Sequence, residues 1–400
     1  MSAKTVRVTA AFEQVLWPHI ETTAQEEISS TMDHQAPRVP YLSFFTGAGF
    51  MDIGFSQAGF SAIWHNECNP VFARGFEYGM TASGRIGREA VIQQRQPIEQ
   101  LAVEAVLADA FPAGRPATWG VIGGPPCPDF SVGGKNRGEA GDRGVLTRVF
   151  AELILEMSPS FFVIENVPGL LRTKKHREFL MRLIDDLESI YAVDYRLLNA
   201  LDVGVPQDRQ RVFIVGVERA LAGSLSERAI QTGDRDWFPW PMNAQFHDAK
   251  NRFSWPSVNP FGGTSAPPEG TPAELMVSTH IHDLLGATTL PNSGDTFNVY
   301  SSRIAKVDEG DDSKKSFKRL HRWRYSPTVA YGNNEVHLHP TLPRRLSVRE
   351  AMRLQGVPDE YVLPPDMPLS HKFKMVGNGV PVGLAEAVAV SMSRFLHLEQ

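Results

Sequence analysis

The chain has 400 residues, 42% of them hydrophobic and 21% charged, with a formal net charge of −5. These values exclude global disorder and a fibrous chain, and the length allows two or three domains with a full core. Proteins that coat nucleic acid non-specifically are usually basic overall, so that class is disfavoured, although one local basic cleft is compatible with the charge.

No stretch approaches 18 consecutive apolar residues, so no membrane-spanning helix is expected. The N-terminus, MSAKTVRVTAAFEQ, lacks an apolar signal core. Two cysteines, Cys68 and Cys127, cannot build a disulfide framework or a cysteine zinc cluster. Lone thiols fit a reducing cytoplasm.

Residues 1–40 read as an extension, with a short amphipathic piece around 11–20 and prolines at 37 and 40. YLSFFT (41–46) is a β-prone run that breaks at Gly47-Ala48-Gly49 and enters a helical pattern through Met51, Phe55 and Phe60. AIWHNE (62–67), WGVIGG (119–124), FFVIEN (161–166), YRLLNA (195–200) and RVFIVGV (211–217) continue the strand series, with a helix at roughly 144–157. Strands alternating with such helices predict an α/β fold with a mostly parallel sheet.

After about 218 the composition shifts. Residues 233–296 are rich in Pro, Gly, Trp, Asn and Ser, and 218–340 reads as a smaller, loop-rich domain. Its right half holds a basic run at 314–324 with six Lys or Arg. Residues 341–400 return to helices. RRLSVREAMRLQGV (344–357) carries a capping box of Ser347 and Glu350, and a last helix from about 382 to 396 is opened by Pro381.

Five places could carry chemistry. Phe45-x-Gly47-x-Gly49 ends a strand and opens a helix, where glycines let the backbone approach a ligand. Alone it reads as a plain turn. Glu67, 22 residues after Phe45 and ending the next strand, suits ribose hydroxyls. Cys127 follows a buried strand in Gly-Gly-Pro-Pro-Cys-Pro, where the prolines pin the backbone and present the thiol as a nucleophile; Cys68 reads as the buried, inert one. The glycine-rich, charged stretch after Cys127 suits a lid. Glu165 ends a buried strand, where a carboxylate is costly without a use. Arg209 and Arg211 alternate into a strand and so share a side. Gly377-Asn378-Gly379-Val380 reads as a turn before the last helix.

In this order, the motifs resemble the cytosine-C5 DNA methyltransferases of restriction-modification type, over about 41–217 and 325–397. The resemblance implies a Rossmann-like methyltransferase domain that binds S-adenosylmethionine and releases S-adenosylhomocysteine. It assigns the cofactor to Phe45, Gly47, Gly49, Glu67, Cys68, Asp109 as the adenine-contacting acid, Ala110, Pro125, Asn378 and Val380. Pro126-Cys127 matches the catalytic Pro-Cys, Glu165-Asn166-Val167 the Glu-Asn-Val motif, and Gln207-x-Arg209-x-Arg211 the Gln-x-Arg-x-Arg motif. Residues 218–340 become a target recognition domain. Three positions depart from the pattern: Ser43 replaces an Asp, Cys68 an aromatic, and Pro128 a Gln.

The implied reaction transfers a methyl group to C5 of a cytosine flipped out of double-stranded DNA. Cys127 adds to C6, Glu165 holds the N3 and N4 edge, Arg209 holds the O2 side, and Arg211 is structural or faces phosphate. Ser131, Lys135 and Arg137 of the lid, with Arg319, Arg322 and Arg324 of the basic run, are expected to contact DNA. The chemistry calls for no metal. The family acts as a monomer, and the setting implies a cognate restriction endonuclease. Rival readings are a tRNA cytosine-C5 methyltransferase and a non-catalytic DNA-binding regulator on the same fold. An unrelated dinucleotide enzyme is disfavoured, because the turn at 45–49 lacks the third glycine of that fingerprint.

Overall fold

The computed structural model describes residues 38–84, 92–126, 144–222, 236–285, 290–299, 301–314, 316–329, 331 and 336–397. The expected helix at 11–20 lies outside them. The described residues all belong to one compact unit, Arg38–Gln400.

The strands in chain order are β1 (Val39–Phe44), β2 (Phe60–Asn66), β3 (Gly120–Gly123), β4 (Phe161–Asn166), β5 (Tyr191–Asn199), β6 (Gln207–Asp208), β7 (Gln210–Glu218) and β8 (Ser326–Pro327). Among the described residues, six form one sheet in the order β2-β1-β3-β4-β7-β5, and β6 pairs with β8. Strands β1 to β4 are mutually parallel, whereas β7 runs antiparallel to both β4 and β5. The fold is therefore α/β with a largely parallel sheet. The reversal at β7 follows from its connection: only a short 3-10 turn (Ala200–Val203) and β6 separate it from β5, which is no crossover helix.

The buried strands are nearly continuous apolar runs because helices cover both faces. In chain order the helices of this half are α1 (Phe50–Gln57), α2 (Pro70–Ser83), α3 (Val103–Ala110), α4 (Gly144–Met157), α5 (Gly169–Arg172) and α6 (Lys174–Leu187). Further on come α7 (Ala249–Arg252), α8 (Val277–Ile281), α9 (Val348–Arg353), α10 (Leu369–Asn378) and α11 (Val382–His397). Phe162 and Ile164 of β4 point into a core shared with α3, α4 and α6. Phe161 and Val163 point the other way, into a core shared with α1 and α11. A third core joins α2, α9 and α10 to Leu320, Val329 and Tyr331.

Several boundaries differ from those read in the sequence. β1 starts at Val39, inside the stretch read as an extension. Phe60 is not the end of α1; it starts β2 after the turn at 58–59, and its ring meets Phe55 and Phe161. The capping box of Ser347 and Glu350 is present, but α9 spans only six residues. Gly377 and Asn378 close α10 rather than forming a free turn.

Between 236 and 346 the described residues carry only short helices and β8, in keeping with the Pro- and Gly-rich composition. The segment at 236–240 is anchored on the six-stranded sheet: the buried Asp194 carboxylate accepts bonds from Phe238 N–H and Trp240 Nε1–H, each 3.0 Å. The run Leu369–Leu396 is apolar enough to cross a membrane by composition, yet 61% of its most apolar window is buried inside the protein.

Candidate active site

The first half of the site is the turn after β1. Phe45 has φ +53, and Gly47 and Gly49 have φ +58 and +72, values that glycine adopts without strain. Gly47 N–H donates to Glu67 Oε2 at 2.9 Å, and Asn69 N–H donates to Glu67 Oε1 at 2.8 Å. One buried carboxylate thus ties the turn to the start of α2. Burial pushes the Glu67 carboxyl above its ordinary value, and these two amides pull it back. A Cβ placed on Gly47 would meet only Phe45 O, at 3.7 Å, so that edge of the turn is open. A buried acid beside an open glycine turn fits a ligand that carries ribose hydroxyls, and so fits S-adenosylmethionine. Cys68 is exposed, not the buried thiol expected. Partial burial and the neighbouring Glu67 push its pKa up.

Asp109 and Ala110 do not join this site. They lie in the last turn of α3, where Asp109 is exposed and accepts Trp64 Nε1–H at 2.9 Å. Phe111, just beyond, packs edge-on against Trp119 at 5.0 Å, immediately before β3. The end of α3 therefore sits at the amino edge of the sheet, opposite the glycine turn, because a crossover helix runs back along its strands. The backbone that flanks Glu67 comes instead from 92–96. Glu67 N–H donates to Gln94 O, and Asn66 Nδ2 donates to Gln94 O and Gln96 O. That segment carries no acid, so nothing in its sequence marks it as a neighbour of Glu67.

The second half is built by β3, β4 and β7. Gly123 pairs with Ile164, which brings Gly124 alongside Glu165. A Cβ on Gly124 would lie 2.9 Å from Glu165 Oε2, so a larger residue there would displace this carboxyl. Pro125 is buried and Pro126 exposed. Cys127, Ser131, Lys135 and Arg137 lie outside the described residues. On β7, Phe213 stands opposite Glu165, and Arg211, two residues away, shares that face. Arg211 Nε lies 2.7 Å from Glu165 Oε1. Burial pushes the Glu165 carboxyl up, against the pull of Arg211 and Arg209, and pushes the Arg211 guanidinium down. Asn166 Oδ1 accepts Val167 N–H, while its Nδ2 has no partner among the described residues.

The two arginines are placed differently from what their expected roles call for. Arg209, read as the substrate contact, is 1% exposed. Its Nη1 donates to Val329 O at 3.2 Å, and its Nη2 to Gly377 O at 2.8 Å and Gly379 O at 2.9 Å. Arg211, read as structural, is the one on Glu165. Asn378, between those two carbonyls, is exposed. A Cβ on Gly379 would run into the ring of Phe50, the first residue of α1, so this turn packs beside the glycine turn. Val380 is buried in the core shared with Met51 and Phe55, so its side chain faces away from the cleft.

The basic run is only partly exposed. Arg319 is buried, and its guanidinium donates to Val307 O, Leu342 O and Ile304 O at 2.7 to 2.9 Å and to His339 O, with its Cζ 3.8 Å from the Phe261 ring centre. Arg322 is held by the fully buried Glu309 at 2.6 Å and by Gly263 O. Arg324 is half-buried against Gly310 O and the Tyr325 ring. The fold thus turns Arg319 inward and leaves Arg322 and Arg324 partly exposed.

The family profile described as C-5 cytosine-specific DNA methylase matches residues 39–394. The Type II methyltransferase M.NmeDI of Neisseria meningitidis serogroup C is 39% identical over 368 residues, covering 88% of this chain and 83% of that protein. The Type II methyltransferase M.MthTI of Methanothermobacter thermautotrophicus is 31% identical over 370 residues, covering 88% and 97%. Among solved structures, the S. pombe Dnmt2 methyltransferase superimposes with a TM-score of 0.55 at 13% identity, covering 91% of this chain and 100% of that one; it speaks to the fold alone.

Proposed function

Because the chain belongs to the C-5 cytosine-specific DNA methylase family, we propose that Glu165 and Arg211 are its base-binding pair and Cys127 its nucleophile. The chain is a DNA (cytosine-5-)-methyltransferase that uses S-adenosylmethionine, and its substrate is double-stranded DNA. The observation that carries the residue assignment is the Glu165–Arg211 pair, with Glu165 two strands from the glycine turn, across β3, and against Gly124, three residues before Cys127.

Cytosine C5 is a poor nucleophile. Addition of Cys127 Sγ to C6 makes C5 enamine-like, and a thiolate both adds readily and leaves again. Glu165 binds the N3 and N4 edge; its raised proton affinity suits a carboxyl that shares a proton with N3 as Sγ adds. Arg211, tied to Glu165 Oε1, takes the O2 side. S-adenosylmethionine, when bound, supplies an electrophilic methyl group to the activated C5. Loss of the C5 proton and expulsion of Sγ restore Cys127. Glu67, Gly47 and Asn378 hold the cofactor.

We assign target recognition to 218–340, and base flipping with lid closure to the stretch after Cys127. The enzyme works as a cytoplasmic monomer beside a cognate endonuclease, as its similarity to Type II methyltransferases suggests. That similarity, spanning most of the chain, favours DNA over the tRNA reading.

Base-resolution C5-methylation sequencing tests this in a host without cytosine methylation, expressing wild type or Cys127→Ala. A short sequence methylated only with wild type is expected. Methylation that survives Cys127→Ala would remove the nucleophile assignment.

A further inference from the structure

Arg209 is a buried cation with no carboxylate within ion-pair distance among the described residues. Its hydrogen bonds go to backbone carbonyls, an arrangement that desolvates a charge for little return unless the backbone it holds matters. Two of the three carbonyls belong to Gly377 and Gly379, and a single nitrogen, Nη2, grips both. Between them stands Asn378, exposed.

This grip has a local cause. The last carbonyls of a helix lack intrahelical partners, and a cation there also meets the negative end of the helix dipole. Arg209 caps α10 in this way from another part of the chain. The same turn is hemmed in on two further sides. A Cβ on Gly377 would press on Tyr331 N and Cβ at 3.2 and 3.3 Å, and one on Gly379 would strike Phe50. Phe50 directly follows Gly49 of the glycine turn. Nη1 extends the grip to Val329, two residues past β8, which pairs with β6 just before Arg209.

We infer that Arg209 is a positioning residue for the cofactor: it clamps the backbone on both sides of Asn378 and fixes that side chain toward the ligand at the glycine turn, without touching the base. The inference rests on the reading above that Asn378 contacts S-adenosylmethionine. Its signature is a loss of cofactor affinity with turnover preserved, the opposite of what a base-contacting arginine would give.

The test measures the Kd of S-adenosylhomocysteine by calorimetry on the full chain, together with kcat on DNA at saturating S-adenosylmethionine. The variants are Arg209→Lys, Asn378→Ala and the double variant. Arg209→Lys is expected to raise Kd about tenfold, the weight of one hydrogen bond, with kcat within about twofold of wild type. Asn378→Ala is expected to raise Kd similarly, and Arg209→Lys to add less than about twofold on that background. If Asn378→Ala weakens binding but Arg209→Lys leaves Kd unchanged and lowers kcat, the inference fails while the Asn378 reading stands. Losses that add in the double variant also overturn it. If Asn378→Ala leaves Kd unchanged, the Asn378 reading fails and the inference falls with it. Should Arg209→Lys not fold, Gly377→Ala displaces the same turn from the Tyr331 side; a raised Kd supports the clamp, and an unchanged Kd overturns it.

Discussion

Arg211 Nε meets Glu165 Oε1 at 2.7 Å, with side chains only 12% and 11% exposed. A buried ion pair contributes modestly as a pair, but removing one member leaves the other charge desolvated and alone. Arg211→Met is expected to lower the unfolding free energy by about 3 kcal/mol, and Glu165→Gln with Arg211→Met to recover most of it. Glu165→Gln alone is expected to lower kcat by about 10³ with the cofactor Kd unchanged. Urea unfolding and steady-state kinetics on the same three proteins check this. A cofactor Kd that rose with the loss of kcat would move Glu165 to the cofactor pocket.

Asp109 offers a contrast with Glu67. Its carboxylate accepts the Trp64 indole N–H from β2, whereas Glu67 holds Gly47 in the glycine turn. Asp109→Ala is expected to cost about 1 kcal/mol of stability, one hydrogen bond, and to leave the cofactor Kd within about twofold. Glu67→Gln is expected to raise that Kd by tenfold or more. Calorimetry on both variants decides; a tenfold loss for Asp109→Ala would return that acid to the cofactor.

What could be read from the sequence divides by range. FFVIEN and the helix at 144–157 were legible because their signals are local: β-branched and aromatic runs, and an apolar stripe at helical spacing. The Ser347 and Glu350 capping box was legible for the same reason. The closeness of Glu67 to the glycine turn, where it bonds Gly47, follows from a distance set by one β-α-β passage. Asp109 sits where a helix carries it away from the edge that matters, and nothing in its neighbours encodes that direction. The placement of Arg209 is not legible either, because it is held by Gly377 and Gly379, about 170 residues away in sequence.

The same long-range problem governs Arg319. It reads as part of a basic, DNA-facing run, yet its guanidinium is buried and bonded to four backbone carbonyls. Arg319→Met is expected to destabilise the protein by about 3 kcal/mol. At temperatures where it remains folded, the slope of log K for DNA against log salt should equal that of wild type, because each phosphate contact contributes about 0.9 to that slope. A slope reduced by about one unit would put Arg319 on the phosphate backbone.

Asp52, in the first turn of α1, gives the protein a pH-dependent stability. It is 1% exposed; Tyr41 Oη–H donates to its Oδ1 at 3.3 Å, and His65 Nε2 lies 3.9 Å away. A helix N-terminus favours a carboxylate, but burial outweighs it here and raises the pKa from 3.8 to about 7. A raised acid pKa means that, between about pH 4 and 7, the native protein keeps a proton the unfolded chain has lost. Stability therefore falls as pH rises through that window and levels off above it, by an amount on the order of 4 kcal/mol at most. Asp52→Asn retains the shape and an acceptor for Tyr41 but does not titrate. It is expected to be more stable than wild type at pH 8 and to lose that advantage near pH 4. His65 and Tyr41 are present in both proteins, so the difference between the two unfolding curves isolates Asp52. Parallel stability profiles from pH 4 to 8 would mean that Asp52 is ionised throughout.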